Sequence, residues 1–288
     1  GYSAYYFARR TRPEYVFAAF EAGEMTAALH ALPYPLDFYG AVKPCAMVAG
    51  VATLPSRRHR GLAGALIRHA HDALRESGVC AAVLKPDVDF YAQFGYLPFA
   101  YHDRYTLSAA NAGETPANEG ETPALHTPGA GELLSIYTRD RARYAGRMVR
   151  TLSDMENSLA EAETLGGFAA CGGNAAEGGA AYALCVPARD GVDAWELVGF
   201  PYGGLLRALA LQYGSVSFRL SAGAQPPAGA ELIARDMFSM LCPLDEAALL
   251  DGTPAKSVEA LLCGQTGSRE EPAGLSDPLL PLNTLEFC

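Results

Sequence analysis

Residues 47–100 constrain this chain more than any other stretch. They begin as an apolar, β-branched run (47–53), break at Leu54-Pro55, pass the basic loop Arg57-Arg58-His59-Arg60 and enter a helix at Gly61. The helix is expected because Leu62, Ala65, Leu66, Ala70, Ala73 and Leu74 fall at helical spacing on one face. Arg68, His71, Asp72, Arg75 and Glu76 fall on the other, and Gly78 ends the run. A helix N-terminus presents unpaired backbone N–H groups and about half a positive charge. Gly61 and Ala63 leave room for a ligand to approach the main chain, and the loop's arginines and histidine add fixed positive charge. Strand, basic loop and helix in that order predict a phosphate or pyrophosphate site.

The better-known phosphate motifs are absent. No Gly-Lys-Ser/Thr supplies a P-loop lysine, and no GxGxxG follows the strand. What stands there is Arg58-x-x-Gly61-x-Ala63, then a strand at 79–84, then Phe90-Tyr91-Ala92-Gln93-Phe94-Gly95-Tyr96. The two segments, in this order and separated by one amphipathic helix and one strand, resemble the acyl-CoA loop and the "FYxxxGF" segment of the GNAT N-acetyltransferase superfamily.

That resemblance implies an α/β (α+β) fold whose mixed central sheet splays open and is flanked by helices. It implies acetyl-CoA as co-substrate and no metal. Val51, Ala52 and Thr53 match the positions whose main chain pairs with the pantetheine. Arg58, His59, Arg60, Gly61, Leu62, Ala63 and Gly64 match the pyrophosphate cradle. Tyr91 matches the general acid toward the leaving thiolate, for which a phenol with pKa near 10 is suited. Packing of Tyr91 against the cofactor, or against Phe90, Phe94 and Tyr96, is the other reading of that residue.

Composition bounds these expectations. With 288 residues and 50% hydrophobic content, the chain can bury a large core and suggests one to two domains. No apolar run approaches about 18 residues and no signal-peptide pattern is visible, so a soluble, cytoplasmic protein without membrane contact is expected. The seven scattered cysteines include no C-x-x-C, which argues for reduced thiols and against a disulfide frame or a zinc site. A net charge of −10 argues against nucleic-acid binding and mildly favours a cationic substrate.

Along the chain, residues 1–13 read as the end of an aromatic helix and a turn, and 15–19 with 25–32 as a hairpin. Only those first residues precede the hairpin, and no Met starts the chain, so an incomplete N-terminus is expected. His30, on the second hairpin strand, is a candidate proton relay or a structural histidine. Residues 37–43 read as a connection and 101–107 as the last strand of an N-terminal lobe (1–107). Residues 108–128, with GETPA at 113 and again at 120, read as a linker.

A second half follows with helices at 131–144 and 153–165, strands at 168–171, 180–186 and 194–198, a helix at 202–213 and a strand at 215–220. This order resembles a second, degenerate GNAT-like lobe (129–233), as in acetyltransferases related to the enhanced-intracellular-survival (Eis) protein. The segment from Ala234 and the helix at 256–264 resemble the opening and closing of the sterol-carrier-like third part of that family, so 234–288 is expected to be a reduced version of it. In that family the C-terminal carboxylate is the general base. Here that position is Cys288; His30, Asp87, Asp89 and Glu24 are the other candidates, beside a water chain with no single owner. The expected activity is acetyl transfer to a small-molecule or peptide amine, with homo-oligomerisation; the alternative is a non-catalytic acyl-CoA-binding or regulatory protein.

Overall fold

The computed structural model describes residues 2–113, 123–141, 144–174 and 179–262. Most of each GETPA copy (114–117 and 120–122) falls outside these residues, as do Cys263 and Cys288.

The first helix, α1 (Tyr2–Arg9), leads into the expected hairpin of β1 (Val16–Glu21) and β2 (Glu24–Pro33). Ala22 and Gly23 close it with positive φ of 51° and 83°, the two-residue turn whose twist suits paired strands. Residues 37–43, expected as a plain connection, instead contribute to β3 (Leu36–Phe38) and β4 (Ala41–Lys43), which form a separate sheet with the later β8 (Arg147–Met148). Next come β5 (Cys45–Thr53), α2 (Leu62–Glu76), β6 (Ala81–Leu84), α3 (Val88–Tyr91), β7 (Leu97–Ser108) and α4 (Ala109–Gly113). The second half runs α5 (Ala130–Arg141), β8, α6 (Leu152–Thr164), β9 (Phe168–Asn174), β10 (Gly179–Ala188), β11 (Gly191–Gly199), α7 (Gly203–Tyr213) and β12 (Ser215–Ser221). It ends with β13 (Glu231–Pro243), α8 (Glu246–Leu250) and α9 (Val258–Leu262).

Ten strands form one mixed sheet in the order β1-β2-β5-β6-β13-β7-β12-β11-β10-β9. The two halves repeat one device: β5 and β6 run parallel across α2, and β11 and β12 run parallel across α7. Between the halves, β13 lies antiparallel to both β6 and β7. The boundary expected between Ile233 and Ala234 therefore falls inside a strand of the central sheet, and residues 234–243 belong to that sheet. Met240, Leu241 and Cys242 are buried there, so burial and backbone pairing together hold the strand in place.

Helix α2 covers one face of β2, β5 and β6 through Leu66, Ile67, Ala70 and Leu74, which pack on Leu29, Val48 and Ala82. Two residues depart from the expected faces: Ala65 is exposed and His71 is buried. His71 goes inside because its ring nitrogen finds a partner there, the Tyr96 hydroxyl at 3.0 Å. The cysteines at 45, 80, 171, 185 and 242 are buried free thiols. Among the described residues, no helix is long and apolar enough to cross a membrane.

Candidate active site

The site grows out of a mismatch between two parallel strands. β5 pairs with β6 only over Cys45–Met47 and Ala81–Val83, then continues to Thr53 with β2 alone beside it. The register with β2 slips by one residue between Ala28 and His30, an extra residue in β5, and Gly50 there takes φ +60°. Such a bulge bends its strand. From Val48 onward one edge of β5 thus has no strand beside it among the described residues, and its backbone groups are free to pair with a ligand.

A cleft of about 680 Å³ opens along this edge. Val51, Ala52, Thr53, Arg58, His59, Gly61, Leu62, Ala63, Gly64 and Tyr91 all line it, together with Arg57, Asp87 and Phe90. The loop turns sharply at His59 and Gly61, whose φ values are 61° and 77°, and this brings the first turn of α2 to the end of β5. No side chain caps that turn, so its N–H groups are open to an anion. Arg58 lies beside Thr53, its Nε donating to the Thr53 carbonyl at 3.4 Å.

Arg60 is placed differently from its expected neighbours. Its guanidinium is engaged by Glu21 at 2.7 and 3.0 Å, and it is not part of the cleft lining. Arg57 reaches the same carboxylate at 3.2 Å and Glu24 at 4.0 Å.

Tyr91 stands at the end of α3, a helix set by Asp87, whose carboxylate accepts from the Phe90 N–H at 3.2 Å. The Tyr91 ring meets Phe90 and Tyr96 edge-on at 4.9 and 5.7 Å. Burial, with a smaller contribution from Asp87, pushes its phenol up to about 12, so it is protonated throughout the physiological range.

The candidate bases are dispersed. Asp87 lines the cleft but serves as a helix cap, Asp89 is exposed in the first turn of α3, and Glu24 faces Arg57. Cys288 lies outside the described residues. His30 is buried on β2 behind the bulge, where it meets the Tyr6 ring and hydroxyl, the latter at 3.1 Å from Nδ1. Burial holds its pKa below the usual histidine value, so it is neutral at pH 7.

A second cleft, of about 390 Å³, lies between α1, the end of β2 and the start of α6, with Tyr6, Tyr34 and Met47 in its wall. Its lining carries Arg9, Arg10, Arg12 and Arg150 against one acid, Asp154. Arg10 is paired with Glu161 at 2.9 Å and Arg150 with Glu196 at 3.0 Å. Sequence reasoning did not find this cleft: its residues come from four separate segments, and no spacing links them.

The family model described as "Acetyltransferase (GNAT) domain" matches residues 2–99. Compared with curated proteins, the chain has no match. Among solved structures it resembles a conserved protein of unknown function and probable N-acyltransferase from Enterococcus faecalis V583 (TM-score 0.68, 18% identity, 83% of this chain and 64% of that one). It also resembles a GCN5-related N-acetyltransferase from Kribbella flavida (0.62, 22%, 82% and 61%). Eis1 from Mycobacterium abscessus is similar to the same degree (0.62, 18%, 81% and 65%). At these identities the likeness is one of fold, and the chain spans just under two thirds of each of these three.

Proposed function

We propose, from the match of residues 2–99 to the acetyltransferase (GNAT) domain family, that the protein is an acetyl-CoA-dependent N-acetyltransferase acting by direct attack of an amine. The observation that carries this reading is the coincidence in one cleft of an unpaired strand edge, an uncapped helix N-terminus flanked by Arg58, and a protonated tyrosine. These groups fit an acyl-CoA: the β5 edge for the amides of the pantetheine arm, the α2 N-terminus and Arg58 for the diphosphate, and Tyr91 for the thioester end. The thioester supplies the activated acetyl group. The chain's part is to orient its carbonyl along β5, and to give the departing thiolate the proton of the Tyr91 Oη.

The second cleft supports a reading of the acceptor. With Arg10 and Arg150 balanced by Glu161 and Glu196, Arg9 and Arg12 face Asp154 there, a weakly positive field that disfavours polycations and differs from what the overall charge of −10 suggested. An amine that also carries a carboxylate or phosphate fits better. The same arginines lower the pKa of a bound ammonium and so raise its neutral, nucleophilic fraction.

The test is acetyl transfer to a panel of amines, read as free thiol released, in the wild type and in Tyr91→Phe. Loss of the general acid should lower kcat by about 10²-fold or more while acetyl-CoA affinity stays unchanged. An unchanged rate would remove Tyr91 from the mechanism. Binding without transfer to any amine would favour the acyl-CoA-binding, regulatory alternative.

A further inference from the structure

Away from both clefts, three side chains from separate segments face one point. His126 and Cys171 sit opposite each other as an isolated antiparallel pair and exchange both backbone hydrogen bonds, at 3.1 and 2.9 Å. Directly opposed residues send their side chains to the same face. Glu132, in the first turn of α5, closes the group: its Oε1 lies 2.9 Å from His126 Nε2 and accepts from the Cys171 thiol at 3.6 Å. All three donor atoms lie within 4.8 Å of one another.

We propose that His126, Glu132 and Cys171 form a zinc site that fastens the segment entering the second half onto the edge strand β9. One imidazole, one carboxylate and one thiolate are a donor set that Zn²⁺ takes in tetrahedral geometry, with water in the fourth position. Convergence of two of these groups on a single oxygen already brings the donors near the separations that an ion with bonds of about 2.0–2.3 Å requires. Cys171 is buried, Glu132 half-buried and His126 exposed, so an ion has a path in from the histidine side while the thiolate stays sheltered. Spacing could not reveal this, because the donors come from a loop, a helix start and a strand, with no short Cys/His motif.

The test uses the full chain after removal of metal by a chelator, titrated with ZnCl₂ and separately with CoCl₂. Zinc should bind once per chain and raise Tm, and cobalt should show the absorption band of a thiolate-bound ion. His126→Ala, an exposed position that should not disturb folding, and Cys171→Ser should each weaken zinc by at least about 100-fold. Cys185→Ser, a buried thiol outside the cluster, should leave binding unchanged. Absence of stoichiometric zinc binding, a cobalt spectrum without the thiolate band, or wild-type affinity in His126→Ala would each overturn the proposal.

Discussion

His71 Nε2 lies 3.0 Å from the Tyr96 hydroxyl, and this buried contact ties α2 to the aromatic group that holds Tyr91. Burial, reinforced by Arg75, lowers the His71 pKa from 6.5 to about 4. Between those two values the unfolded chain binds a proton that the folded chain refuses. Stability is therefore full above about pH 6.5 and falls as pH drops through the window, by up to roughly 3 kcal/mol. His71→Gln keeps a partner for Tyr96 but does not titrate. Urea unfolding at pH 7 and pH 4.5 should show a smaller acid loss in this variant than in the wild type, and equal losses would contradict the assignment.

Arg58 and Arg60 are expected to differ in effect although they are two residues apart. Arg60 is already engaged by Glu21, whose carboxyl is held below its ordinary range chiefly by that hydrogen bond. Arg60→Ala should change acetyl-CoA affinity by less than about threefold and leave stability nearly unchanged, as for exposed ion pairs screened by solvent. Arg58→Ala should weaken binding about tenfold or more, the scale of a lost hydrogen bond to a charged group. Titrations of the two variants side by side decide the matter, and comparable losses would mean that Arg60 leaves Glu21 when the ligand arrives.

The second half depends on a buried charge. Glu196 is fully buried, and its Oε1 accepts from the Tyr182 hydroxyl at 2.5 Å and from Arg150 Nη1 at 3.0 Å. Arg150→Met takes the cation from beside a carboxylate with no access to water, which should cost about 3–5 kcal/mol. Thermal unfolding of the variant checks this; a Tm equal to the wild type's would show that Glu196 is satisfied without Arg150.

Local patterns made much of the site legible. The spacing of Leu62, Leu66, Ala70 and Leu74 located α2, the Glu21–Glu24 turn located the hairpin, and the order of Arg58, Gly61 and Tyr91 located the cleft. What stayed hidden depends on contacts between distant segments. Nothing local tells β13 to enter between β6 and β7, since an apolar strand is indifferent to its neighbour until the sheet exists. The same holds for Arg60, which pattern placed at the ligand and the nearby hairpin carboxylate draws aside, and for the arginines of the second cleft. His71 reads as polar by residue type and becomes a core residue because Tyr96 lies opposite it.

The central claim is that the edge of β5 and the start of α2 hold an acyl-CoA. Calorimetric titration of the wild type with acetyl-CoA and CoA, beside Arg58→Ala and Gly61→Glu, tests it most directly. Gly61 takes φ +77° with no neighbouring atom near its missing side chain, so glutamate there strains the turn and sets a negative charge at the anion site. The account predicts binding by the wild type, weakened in Arg58→Ala and lost in Gly61→Glu. Wild-type affinity in both variants would place the ligand elsewhere, and no binding by the wild type would contradict the account itself.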